Sequence, residues 1–170
     1  GPDIPPGTRL FGLSMTYDGH LIVTFSNGIA VIDRDLDESS AIFYRFADYE
    51  YVSNSIAVDE EGGLYIASAT VIPPMSGIMR RLIWTGSEIS DRDEDGAWQC
   101  GYEASSVLPP MIKVGYGTGS TPTLMGFGDD EDRLVIITDG AEQMNLLAFW
   151  REEIPSGGER IAGQIPVTCG

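Results

Sequence analysis

Basic residues are scarce in this sequence. Ten Lys and Arg stand against 26 Asp and Glu over 170 residues, a formal net charge of −16. Phosphate contacts need a basic surface, so a nucleic-acid binder is excluded, and so is electrostatic docking to anionic lipid. Apolar runs are short, and none approaches the roughly 18 residues that a membrane-spanning helix needs. Histidine occurs once, as His20 in a turn after Asp18-Gly19. It is expected to be exposed and inert, and no Ser/His/Asp or Cys/His constellation can be built around it. Cysteine occurs twice, as Cys100 and Cys169, without metal-site spacing. The pair allows either one disulfide or two free thiols. Long stretches of helical period are absent as well, which removes the basis for a helical bundle.

What the chain does have is 21 Gly, 10 Pro and many short apolar or alternating runs bounded by Gly, Asp, Asn and Ser. That is the pattern of an all-β protein with many short strands. The runs form a repeat. Residues 10–17, 21–25, 29–32 and 41–46 make a first four-strand meander; 55–59, 64–68, 77–84 and 97–102 a second; 121–127, 134–138, 144–150 and 160–167 a third. Aligned on the second strand, Leu21, Leu64 and Leu134 become equivalent, at spacings of 43 and 70 residues. These spacings suit a propeller blade and a blade with one insertion. A single unit of three blades is expected, at about 8–47, 52–103 and 120–168, with a loop insertion over 104–120.

The segment Asn54-Ser55-Ile56-Ala57-Val58-Asp59, followed by an acidic Gly turn and Leu64-Tyr65-Ile66-Ala67, resembles the inner hairpin of six-bladed β-propellers of the gluconolactonase and NHL-repeat kind. Residues 13–23 are similar but looser. The resemblance implies half of a six-bladed ring. Three blades do not close a ring, since closure takes roughly four to eight. The remaining blades would come from the rest of a longer chain or from a second copy, so self-association is expected. A β-sandwich or small barrel is the alternative fold.

In a propeller, the turns joining first to second and third to fourth strands share one face. Of the 26 acids, 19 fall there, which would make a strongly negative surface of solvated turns. Within it, Asp91-Arg92-Asp93-Glu94-Asp95-Gly96 has carboxylates at positions 1, 3 and 5 and Gly at 6, like the opening of a calcium loop. Position 12 is Tyr102 rather than Glu, so Asp91, Asp93 and Asp95 form only a candidate acidic turn for calcium. On the opposite face the resemblance implies a central-channel metal site. Asn54 stands where the calcium-dependent lactonases place a ligand, and Asp139 stands where a further ligand or a catalytic acid would sit. Gly12-Leu13-Ser14-Met15 lacks the matching acidic ligand. Tyr49, Tyr51 and Tyr116, with Pro73-Pro74-Met75 and Pro109-Pro110-Met111, are candidates for a ligand rim or for packing plugs. The run from Gly115 to Ser120 is Gly-rich but does not join a strand to a helix, so it fails as a phosphate cradle and is expected to be a flexible loop.

Two functions follow. One is a non-catalytic propeller half acting as a binding or assembly module. The other is a calcium-dependent hydrolase of the lactonase or esterase class, its metal polarising carbonyl and water. The start Gly1-Pro2-Asp3 reads as a processed or engineered terminus. With the acidity and an available disulfide, it sets the expectation of a secreted or periplasmic protein.

Overall fold

The computed structural model describes residues 7–105 and 116–168. Within them the chain is all-β, built as three antiparallel sheets that do not close into a barrel. The first sheet takes β1 (Leu10–Met15), β2 (Leu21–Phe25), β3 (Gly28–Ile32) and β4 (Ile42–Arg45) in sequence order. The second runs through β5 (Glu50–Val52), β7 (Gly63–Thr70), β8 (Ser76–Trp84) and β10 (Trp98–Glu103). Two short strands complete its edges: β6 (Ala57–Val58) continues β5 along β7, and β9 (Ile89–Ser90) continues β10 along β8. The third takes β11 (Thr123–Met125), β12 (Leu134–Thr138), β13 (Asn145–Trp150) and β14 (Ile161–Pro166). Among the described residues, no helix is long and apolar enough to cross a membrane.

Short runs between turn residues become strands because each apolar side chain finds a face to cover. Turn glycines permit the reversals. Gly62 sits at φ +84°, and a Cβ there would lie 2.5 Å from the Trp84 carbonyl oxygen. The middle sheet is covered on both faces, and every residue of β7 is buried. Its Leu64, Ile66, Leu82 and Trp84 pack against Ile22, Ile29 and Val31 of the first sheet. Its Tyr65, Ala67, Met79 and Tyr102 pack against Val135, Ile137, Leu147 and Phe149 of the third.

Three details differ from the sequence reading. The inner edge of the middle sheet begins earlier, with Glu50–Val52, because Glu50 lies buried opposite Arg80. A charged residue gave no apolar signal there. The equivalence of the second strands is shifted by one residue in the third sheet. Val135, not Leu134, faces the middle sheet as Leu64 faces the first, since Val135 belongs to the inter-sheet core. Residues 116–120 are held in place rather than free. Thr118 is buried, its amide donates to the Tyr102 hydroxyl at 3.1 Å, and its carbonyl accepts from Asn54 Nδ2 at 3.0 Å. Residues 106–115 of the insertion lie outside the described residues.

Candidate functional site

The metal candidates make hydrogen bonds within the chain. Asn54 spends its amide on the Thr118 carbonyl and on Ser53 Oγ, both at 3.0 Å. Asp139 is buried. Its Oδ1 accepts from the amides of Asn145 at 2.8 Å and Ala141 at 3.3 Å, and its Oδ2 accepts from Asn145 Nδ2 at 2.5 Å. It closes the β12–β13 turn. Thr118, which Asn54 holds, also contacts Thr138, the chain neighbour of Asp139, at 3.2 Å between hydroxyls. The acidic turn is divided in the same way. Asp91 accepts from the Tyr44 hydroxyl at 2.9 Å, and Asp95 accepts from Ser90 Oγ at 2.5 Å and Arg92 Nε at 2.9 Å. Asp93 begins a 3-10 turn, Asp93–Asp95. Among the described residues, no three His, Cys, Asp or Glu side chains come together as a metal-holding group.

The rim candidates are also spread out. Tyr51 packs edge-on against Phe11 at 5.6 Å, Tyr49 is half exposed, and the Tyr116 carbonyl accepts from the Ser105 amide at 2.7 Å. Pro73 and Pro74 fall in the β7–β8 turn, and Pro109, Pro110 and Met111 lie outside the described residues. Cys100 is a free thiol whose pKa burial pushes up, and Cys169 lies outside the described residues. His20 is not the inert surface residue expected. Its Nδ1 lies 3.0 Å from Asp18 and its Nε2 3.1 Å from Asp33, and its ring packs on Trp84 at 5.1 Å. Burial works to raise the Asp18 pKa. Hydrogen bonds from Thr16, His20 and Trp84 outweigh it and bring the carboxyl down to about 2.

The sequence reading missed the charged seams between the sheets. Asp59, counted there as a solvated turn acid, is fully buried. Its Oδ2 accepts from the Tyr65 hydroxyl at 2.8 Å, Arg151 Nη2 at 3.3 Å and Arg81 Nη2 at 3.5 Å. Its Oδ1 accepts from the amides of Gly63 at 2.7 Å and Glu61 at 3.0 Å. Desolvation pushes its pKa up, but these donors prevail and hold the carboxyl below the usual value. Arg151 is buried completely and also donates to the Gly126 carbonyl at 3.0 Å. On the other face of β8, Arg80 forms a two-pronged pair with Glu50 at 2.8 and 3.0 Å, beside Ser68. The adjacent pair Arg80-Arg81 was the available signal. On a strand, neighbours point to opposite faces, so each arginine enters a different inter-sheet seam. Such seams join neighbouring sheets, and Arg81 also lines a surface cavity together with Trp98, Glu152 and Arg160.

The outer faces of the first and third sheets are apolar. The first presents Leu13, Met15, Leu21, Val23, Ile32 and Phe43, all partly or largely exposed, with Leu13 at 71%. The third presents Met125, Ile136, Leu146, Ala148, Trp150 and Ile165, with Ile165 at 64%. None of these residues belongs to either inter-sheet core. Among strand residues of the two faces, Arg45 alone is charged. Apolar area of this kind, contiguous across a sheet, marks a contact surface.

No family model matches the chain, and no solved structure matches it. Over 179 aligned positions it is 32% identical to a protein of Archaeoglobus fulgidus described only as uncharacterized; the match takes in 99% of this chain and 32% of that protein. The likeness therefore spans all three sheets, while the chain covers about a third of its relative's length.

Proposed function

We propose that this chain is a non-catalytic segment of a β-propeller, half of a six-bladed ring, and acts as a binding or assembly module through its two outer sheet faces. The observation that carries this reading is the contrast between the sheets. The middle sheet is covered on both sides, while the first and third have apolar faces that neither core covers. A sheet with one face left open is a surface awaiting a partner. The meander repeated three times and the hairpin resembling gluconolactonase and NHL-repeat propellers support the assignment to that architecture.

Light scattering over a hundredfold concentration range, combined with binding of a dye that fluoresces on apolar surface, tests this reading. Faces that serve as contact surfaces bind dye on the single chain and lose it when they are covered. A chain that stays at 18.4 kDa and binds no dye at any concentration would overturn it.

A further inference from the structure

Building on that reading, we infer that the partner of the first sheet's outer face is the third sheet's outer face of a second copy, in a head-to-tail contact that closes two chains into one six-sheet ring.

The inference rests on the sense in which the sheets stack. In an L-peptide strand, the direction of a residue's N–H and C=O, together with strand direction, fixes the face its side chain takes. The hydrogen bonds at the strand ends identify which residues of each second strand bond toward the third strand. In the first sheet the Thr16 amide donates to the His20 carbonyl at 2.9 Å. Even-numbered residues of β2 therefore bond toward β1, and Leu21 and Val23 bond toward β3. In the second sheet the Trp84 amide donates to the Gly62 carbonyl at 2.8 Å, so Leu64 and Ile66 bond toward β8. In the third, the Arg151 amide donates to Arg133 and the Asp139 amide to Asn145, both at 2.9 Å, so Val135 and Ile137 bond toward β13.

These three sets are stereochemically equivalent. Leu64 and Ile66 face the first sheet, and Val135 and Ile137 face the second. Each sheet thus receives its predecessor on the same kind of face. Leu21 and Val23 carry that receiving face in the first sheet, where the described chain offers no predecessor. The opposite, advancing kind of face meets its neighbour through Ile22 in the first sheet and Tyr65 in the second. In the third sheet it is carried by Ile136 and left uncovered. The described sheets therefore present two unlike outer surfaces, of the kinds that pack together twice between them. A face-to-itself contact would pair two receiving faces, a geometry the molecule nowhere uses. A second copy supplies the needed partner at both ends, and the head-to-tail contact closes into a ring of two when three sheets turn through half a circle, as half of a six-bladed ring does; a larger rotation mismatch would show as open polymers in light scattering and overturn the ring. Charge permits this. At a net charge of −16 two copies repel, and the strands of these two faces carry no acid.

The experiment uses two double variants of the whole chain, Leu13→Asp with Met15→Asp and Leu146→Asp with Ile165→Asp. All four positions are exposed on the single chain, so folding does not depend on them, and unchanged far- and near-ultraviolet circular dichroism spectra verify this. The wild type is expected at twice 18.4 kDa by light scattering. Each double variant raises the concentration for half-assembly about a hundredfold, since an unpaired carboxylate is then buried. An equimolar mixture of the two assembles again, because the intact third sheet of one chain meets the intact first sheet of the other. If only one of the variants dissociates, or if the mixture stays monomeric, the head-to-tail contact is overturned while the assembly reading stands. A wild-type monomer that binds the apolar dye overturns the second copy as partner and leaves the faces to other segments of a longer chain. A monomer that binds no dye overturns both readings.

Discussion

Replacing Asp59 by Asn keeps the shape of the side chain and removes its charge, which isolates what the seam between the second and third sheets contributes. Arg151 has no exposed surface, and its nearest other carboxylate is Glu60 at 3.9 Å. Removing one partner of a buried ion pair costs about 3–5 kcal/mol, because the remaining charge stays desolvated. The amide also turns a donor toward donors. Oδ2 faces Tyr65, Arg81 and Arg151, and Oδ1 faces two backbone N–H groups, so either orientation of the Asn leaves a mismatch. For a chain of this length 1 kcal/mol corresponds to about 3 °C, so the Tm is expected to fall by roughly 9–15 °C at pH 7. Circular dichroism melts measure it. The sign of the pH dependence follows from the lowered pKa. The wild-type contribution is fully present above the unfolded carboxylate value and is lost as pH falls through the folded one. The gap between wild type and Asp59→Asn should therefore narrow in acid. Adding Arg151→Met to Asp59→Asn should recover part of the loss, since the stranded charge is gone. A drop below about 3 °C for Asp59→Asn, or a gap that widens in acid, would refute the buried pair as a determinant of the seam.

Three further outcomes are expected. Asp18, held at about 2 by Thr16, His20 and Trp84 against desolvation, contributes stability that disappears as pH falls from about 4 to about 2; in Asp18→Asn, denaturant titrations across that window should show a flatter pH profile. Gly77→Ala should destabilise by about 1–3 kcal/mol in urea unfolding, because its Cβ would meet the Tyr102 ring at 2.2 Å and displace a hydroxyl that joins Ser68 at 3.0 Å to Thr118 at 3.1 Å; Gly101→Ala, whose Cβ comes no closer than 3.9 Å to its neighbour, should cost far less. Adding a calcium chelator should leave melting temperature and mass within error, because the oxygens of Asp139 and Asp95 already accept hydrogen bonds from Asn145 and from Ser90 and Arg92; a shift of several degrees would return the lactonase-type site to consideration.

Most strands were legible because a half-covered strand writes itself as alternation, and the start of β7 as the apolar run Leu64–Ala67 after the turn at 60–63. Their order was legible because successive short runs separated by tight turns pair with their neighbours. The turn chemistry at Asp18-Gly19 and at 60–63 placed the reversals correctly. The candidate sites were not legible in the same way. Asp59 and Glu50 look like surface acids in the sequence, since nothing local distinguishes a solvated carboxylate from one that meets an arginine 92 or 30 residues away. What Asn54 and Asp139 hydrogen-bond to was hidden for the same reason, since it depends on the path of residues 116–120 and on the Asn145 side chain. Sequence by itself determined the all-β class and the three four-strand meanders with their order, because these depend on residues close together in the chain. Tertiary structure alone decided which apolar faces meet and which stay open. It also decided which charges are buried in pairs and in what sense the sheets stack, because each of those depends on contacts between residues that the chain keeps far apart.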